Sequence, residues 1–172
     1  KLINAAPDLF RYDLVWIKKQ SVGFLNAKKM PLRTHELVLV FYKKLPVYNP
    51  QKTVGKPYIN DTYTSNGRAT KKIRSYDVER FDTINLSGMR FPLSYITFGR
   101  DKKQYHSTQK PLLLFEWLIR TYTNEGDLVL DNCVGSGTTA LAAKNMGRNF
   151  IAIERDPEYH DIATRRLLGE IP

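Results

Sequence analysis

The chain has a single cysteine, Cys133, in 172 residues, which excludes an internal disulfide framework and a multi-cysteine zinc site. Histidine is nearly as scarce, and His35, His106 and His160 show no metal-ligand spacing, so no metal is expected. Long apolar runs are missing as well. No stretch approaches the roughly eighteen uninterrupted apolar residues of a membrane-spanning helix, and the opening Lys1-Leu2-Ile3-Asn4 lacks the apolar core and small-residue cleavage site of a secretory leader. These absences predict a cytoplasmic protein with no membrane partner. Acidic residues are the last shortage: seventeen against twenty-seven lysines and arginines, a net charge of +10.

The positive charge is regional. Between Lys43 and Lys110 fourteen basic side chains face five acidic ones, whereas the rest of the chain has thirteen and twelve. A solubilising surface would spread its excess over all faces; a concentrated one suits a polyanion, because each neutralised phosphate releases condensed counterions.

Three textures follow one another. From Leu14 to Tyr42 two apolar runs, Leu14-Val15-Trp16-Ile17 and Leu37 to Tyr42, are bounded by Gly23, Asn26 and Pro31 and read as strands. Residues 46–104 hold most of the prolines and many Gly, Asn, Ser, Thr and Tyr, with no helical period, so short strands in an irregular region are expected there. From Gln109 onward helix and strand alternate. Helices are predicted near 111–121, 137–146 and 157–168, and strands at Leu128-Val129-Leu130 and Phe150 to Ile153. Pro111 and Pro157 each fall where a first helical position is expected. The pattern is α/β with parallel strands.

The strongest local signal is Asp131-Asn132-Cys133-Val134-Gly135-Ser136-Gly137-Thr138-Thr139-Ala140, between a strand and a helix. Its glycines permit a tight turn and a close ligand approach, and the helix start adds free N–H groups. A branched side chain at Gly135 is expected to block that approach. Glu154 follows Asp131 by twenty-three residues, at the end of the next strand, where a carboxylate accepts hydrogen bonds from ribose hydroxyls; a surface acid is the plainer alternative. Gly135-x-Gly137-x-x-Ala140 also fits a dinucleotide fingerprint, which leaves an NAD-dependent oxidoreductase as a minor alternative. Against it, Asp131 adds negative charge beside a pyrophosphate, and the dinucleotide fold places its further strands after this unit rather than before it.

Four stretches in order, Gly23-Phe24-Leu25-Asn26-Ala27-Lys28-Lys29, Arg33-Thr34-His35-Glu36, His106-Ser107-Thr108-Gln109-Lys110-Pro111 and Asp131 to Thr139, resemble the permuted (beta) class of DNA amino-methyltransferases, especially phage and prophage members. These enzymes use S-adenosylmethionine (SAM) to methylate adenine N6 or cytosine N4. The resemblance implies a Rossmann-like SAM-dependent methyltransferase sheet in permuted order with an inserted irregular recognition region. It divides the chain into residues 1–45, the last strands of the catalytic half; 46–104, the target recognition region; and 105–172, the SAM-binding half. Gln109, Lys110, Asp131, Cys133, Gly135, Ser136, Gly137, Thr138 and Glu154 become candidate cofactor-binding residues. Lys110 also reads as an ordinary solvated lysine at a helix start. Cys133 stands where the family often has phenylalanine and reads as a small apolar wall rather than a nucleophile.

The recognition region supplies Arg68, Lys71, Lys72, Arg74, Arg90, Arg100, Lys102 and Lys103 as candidate DNA-binding residues, with Asn60, Asn66 and Asn85 for base edges. Tyr58, Tyr63, Tyr76 and Tyr95 suit stacking on bases or, more simply, a small core. In the family an Asp- or Asn-Pro-Pro-aromatic tetrapeptide holds the extruded base's amino group. This sequence has none, Asn4-Ala5-Ala6-Pro7 being a poor imitation, so no catalytic residue is assigned. The reading that follows is a bacterial or phage-encoded enzyme whose catalytic strand lies upstream of residue 1. A non-catalytic SAM- and DNA-binding remnant is the alternative, completed in either case by a second copy or an upstream polypeptide.

Overall fold

The structure, a computed structural model, describes residues 1–60 and 83–172. Arg68, Lys71, Lys72 and Arg74, with Asn66, Tyr63 and Tyr76, lie outside the described residues. In chain order the elements are α1 (Leu2–Ala5), β1 (Phe10–Val22), β2 (Arg33–Phe41), β3 (Thr53–Val54), β4 (Tyr58–Asn60), β5 (Thr83–Asn85), β6 (Met89–Arg90), β7 (Tyr95–Phe98), α2 (Leu112–Tyr122), β8 (Leu128–Asp131), α3 (Thr138–Asn145), β9 (Asn149–Ala152) and α4 (Pro157–Leu168). They fall into two compact units, Lys1–Gln51 with Leu93–Pro172, and Lys52–Pro92.

In the larger unit β1 pairs antiparallel with β2, from Phe10↔Phe41 to Val22↔Arg33, and parallel with β7, from Val15↔Tyr95 to Lys18↔Phe98. Period-two alternation buries Leu14 and Trp16. Trp16, Ile96 and Leu114 form one core with Val38, Phe98, Trp117 and Leu118, and the Trp16 indole N–H donates to the Phe98 carbonyl at 3.0 Å. The apolar run of residues 14–17 marks only the part of β1 that packs on α2. Its polar continuation, Lys18 to Ser21, lies in the stretch where the β1–β2 register is irregular, between Ile17 and Val22.

Helix α2 serves two cores: Leu114 joins the first, and Ile119 packs with Ala142 and Ala143 of α3 against Val129, Met146 and Phe150. Alanines at that contact let the helices approach closely. Strands β8 and β9 form a parallel pair, Leu128↔Asn149 to Asp131↔Ala152, joined through α3. Alternation sends Val129 and Phe150 into the core and leaves Leu128, Leu130, Ile151 and Ile153 half exposed or more. Parallel sheets are ordinarily covered on both faces; among the described residues this pair is covered on one. The Asp156 carboxylate caps α4 by accepting from the Glu158 amide at 2.9 Å, with Pro157 in the first turn.

The smaller unit holds two short antiparallel pairs, β3 with β6 and β4 with β5. Gly55 N–H donates to the Gly88 carbonyl at 2.8 Å. Gly88 has φ +68°, and a Cβ there would lie 2.3 Å from the Gly55 oxygen, so the crossing requires glycine. Tyr95–Phe98, inside the interval read from sequence as recognition region, belongs to the larger unit as β7.

Candidate cofactor site at the glycine turn

The turn between β8 and α3 is held from several sides. Asp131, the last residue of β8, accepts from the Cys133 amide at 3.0 Å and from the Thr139 hydroxyl at 2.5 Å, so one carboxylate pins both ends of the loop. Gly135 (φ +55°) and Gly137 (φ +84°) occupy the left-handed region. A Cβ at Gly135 would meet only the His106 ring, at 3.7 Å, whereas one at Gly137 would lie 2.8 Å from Ala163 Cβ in α4. Gly135 is therefore the open rim of the cradle and Gly137 its contact with the body.

Glu154, just past β9, faces this rim. Its carboxylate accepts from the Gly135 amide at 2.7 Å and the Asp156 amide at 2.9 Å. The Asp156 and Gly135 N–H groups hold the Glu154 carboxyl below the usual carboxylate range, against a smaller opposing effect of desolvation, so it is anionic at neutral pH. His106 lies over the same rim, its ring 4.3 Å from that of Tyr159 and its Nδ1 accepting from the Thr108 amide at 3.1 Å.

Ser136 and Gln109, both expected to touch a ligand, bond to each other: Ser136 Oγ donates to Gln109 Oε1 at 2.9 Å. Gln109 Nε2 in turn donates to Asp101 at 3.1 Å, and Asp101 accepts from the Leu112 amide at 3.1 Å, satisfying the first turn of α2. From the opposite side Arg166 of α4, 5 % exposed, donates through Nη1 to the Ser136 carbonyl at 2.6 Å and to the Thr138 hydroxyl at 3.3 Å. Its Nε donates to the Pro172 carbonyl at 3.2 Å. Burial lowers the Arg166 pKa, with Asp101 opposing that shift. Sequence reasoning missed Asp101 and Arg166. Asp101 sits eleven residues before the amide it caps, and Arg166 reads as one more surface arginine on an amphipathic helix. Cys133, expected as an apolar wall, is exposed, its amide being the group turned toward Asp131.

Lys110 pairs with Glu36 at 2.9 Å, and Lys18 joins the same carboxylate at 2.5 Å. This triad ties β1 and β2 to Lys110, two residues before the start of α2, above the face of Trp16. Partial burial pushes the Glu36 carboxyl up, but hydrogen bonds and charge from Lys110 and Lys18 outweigh it and hold the pKa below its ordinary value of 4.5. The stabilisation is thus full above the unfolded value and is lost as the pH falls through the lower folded one. Glu36→Gln is expected to cost about 1 kcal/mol at pH 7, a figure discounted for solvent screening. Urea denaturation should show that difference vanishing as the medium is acidified well below the ordinary carboxylate value.

Among the candidate nucleic-acid contacts, Arg90 is engaged within the smaller unit, over the Tyr58 ring at 4.5 Å and donating to the Gly88 and Lys56 carbonyls. Asn85 Nδ2 donates to the Met89 carbonyl at 2.8 Å. Arg100, Lys102 and Lys103 are exposed in the larger unit, Lys103 lying 4.9 Å from the Tyr105 ring centre. Among the described residues no group of three or more His, Cys, Asp or Glu is placed to hold a metal ion.

A family model described as DNA methylase, of the N6/N4 methyltransferase type, matches residues 5–165. The Type II methyltransferase M.HindIII of Haemophilus influenzae is 30 % identical over 159 residues, covering 81 % of this chain and 52 % of that protein. DNA adenine methyltransferase YhdJ of Escherichia coli is 30 % identical over 143 residues, 83 % of this chain and 48 % of its own length. The crystal structure of an M1.HpyAVI–SAM complex superposes with a TM-score of 0.58 at 29 % identity, over 91 % of this chain and 61 % of that one. The chain spans about half the length of the two curated relatives.

Proposed function

The chain belongs to the DNA methylase family, and from that premise we propose that it is the cofactor-binding and DNA-recognition portion of a SAM-dependent DNA amino-methyltransferase. The observation that carries this reading is the pair of carboxylates on the glycine turn. Asp131 closes the loop from the end of β8, and Glu154 takes the Gly135 amide at its rim. Two anions there suit a cationic, ribose-bearing ligand. They oppose a pyrophosphate, which needs loop amides such as those of Gly135 and Cys133 that Glu154 and Asp131 occupy, so NAD fits poorly.

When bound, SAM supplies an electrophilic methyl group. Glu154 accepts from the ribose hydroxyls and Asp131 offers negative potential to the methionyl portion. Gln109, Ser136 and Arg166 fix the loop between α2 and α4, so that little reorganisation accompanies binding. Arg100, Lys102 and Lys103, with the basic residues outside the described part, take phosphates of double-stranded DNA. Adenine N6 is favoured over cytosine N4 because YhdJ, aligned over 83 % of the chain, is an adenine methyltransferase. The uncovered face of β8 and β9, Leu128, Leu130, Ile151 and Ile153, favours a domain completed by further polypeptide or a second copy. That polypeptide would bring the Asp- or Asn-Pro-Pro-aromatic element. The same face supports the second reading, a non-catalytic SAM- and DNA-binding module that acts with a partner. Either setting is cytoplasmic, in a bacterium or encoded by a phage.

The test is calorimetry with SAM and with NAD, followed by transfer of labelled methyl from SAM to unmethylated duplex DNA with the product nucleosides identified. SAM is expected to bind, and NAD is not. This chain alone should leave the DNA unlabelled, and added polypeptide containing the tetrapeptide should yield N6-methyladenine. Absence of SAM binding would sink the proposal, and methylated base from this chain alone would remove its portion-of-an-enzyme clause.

A further inference from the structure

The hairpin joining β1 to β2 ends in a built tip whose apolar side chains stand exposed among the described residues. Gly23 adopts φ +93° and opens a short 3-10 turn over Phe24–Asn26. Asn26 N–H donates to Gly23 O at 2.9 Å, Ala27 to Phe24 at 2.9 Å and Lys29 to Asn26 at 2.8 Å. This ordered turn holds Phe24 at 81 % exposure and Leu25 at 97 %, with Met30 also mostly in solvent. A phenylalanine and a leucine held in water forgo the stabilisation of burial, so two of them fixed outward at one apex mark a contact surface.

The charge around them points to the kind of partner. From Lys19 to His35 the chain has Lys19, Lys28, Lys29 and Arg33 and no acidic residue, and all four are exposed. An apolar apex flanked along the chain by exposed cations matches the way proteins enter nucleic acid, with Phe, Leu or Met wedged at a base step while lysines take the flanking phosphates. We propose that the β1–β2 tip is a DNA-contacting wedge: Phe24 and Leu25 enter at a base step and Lys28 and Lys29 neutralise phosphates beside it. This rests on the DNA reading above and adds to it a contact outside residues 46–104. The wedge would help to unstack the duplex, a step that extrusion of a base requires.

Because these side chains are exposed, their replacement leaves the cores intact, and circular dichroism and melting temperature serve as controls. The experiment measures fluorescence anisotropy of the whole chain on a mixed-sequence duplex of about thirty base pairs across a salt series. A second duplex carries 2-aminopurine, whose emission rises on unstacking. Phe24→Ser with Leu25→Ser is expected to weaken binding about tenfold at unchanged salt slope and to abolish the 2-aminopurine signal. Lys28→Gln with Lys29→Gln should reduce the slope by about 2. Unchanged affinity and emission in the Phe24/Leu25 variant, with the parent chain binding normally, overturns the wedge alone. Tip-dependent binding to vesicles of phosphatidylserine and phosphatidylcholine, with duplex binding indifferent to the tip, assigns the surface to membranes and also overturns it. A parent chain that binds SAM but no duplex defeats the DNA reading itself, and the wedge with it.

Discussion

Gly137→Ala is expected to abolish SAM binding, lowering affinity more than a hundredfold, and to destabilise the chain by about 2–4 kcal/mol. Two costs coincide at this position. The backbone sits at φ +84°, a left-handed conformation that costs an L-residue roughly 1–2 kcal/mol. The new Cβ would also stand 2.8 Å from Ala163 Cβ and 3.0 Å from Ala163 Cα, the latter being backbone that cannot swing away. Relief requires α4 to retreat, and α4 carries the Arg166 guanidinium that holds the Ser136 carbonyl. Thermal denaturation measures the first effect and calorimetry with SAM the second. Gly135→Ala is the control. Its Cβ meets only His106 at 3.7 Å, so the loss there is about 1 kcal/mol of backbone strain. Equal behaviour of the two variants would contradict the division of the turn into rim and anchor.

Asp131→Ala ranks next, with an expected loss of about 2–3 kcal/mol and at least a tenfold fall in SAM affinity. The substitution frees the Cys133 amide and leaves the largely buried Thr139 hydroxyl without its acceptor. Asp131→Asn separates geometry from charge. Its carbonyl oxygen retains one of the two bonds, so most stability should return, while the negative potential facing a cationic ligand stays lost. Denaturant unfolding and SAM titration of both variants measure the split. SAM affinity restored by Asn would show that the carboxylate acts on the loop alone.

Much of this was legible in the chain. The alternation from Leu112 to Leu168 announced α2, β8, α3, β9 and α4, because each element is short, bounded by Pro or Gly, and periodic in its own way. Asp131, the glycines and Glu154 were legible for the same local reason, since a strand, a turn and a helix start are all encoded within a few residues. What escaped the sequence was the direction of side chains. The hydrogen bond between Ser136 and Gln109, twenty-seven residues apart, is not written in either motif. Lys110 reaches Glu36, more than seventy residues earlier in the chain. Arg166 lies buried among carbonyls. Each depends on which helix packs where, information carried by the cores around Leu114 and Ile119 rather than by any motif. The tight packing at Gly137 escaped for that reason, the obstacle being Ala163 of a helix that joins the turn only after folding.

The flanks of the smaller unit have a consequence of their own. On one side Asn49 donates to the Thr123 carbonyl at 3.0 Å, and on the other the Ser94 carbonyl accepts from Val15 at 2.8 Å. Asn49 and Ser94 are thus both held within the larger unit, which fixes the two points between which the intervening chain must run. Doubling the length of such a loop costs only about 0.6 kcal/mol. A change in the length of the chain between residues 52 and 92 is therefore expected to cost little, the cofactor turn and its supports staying as they are.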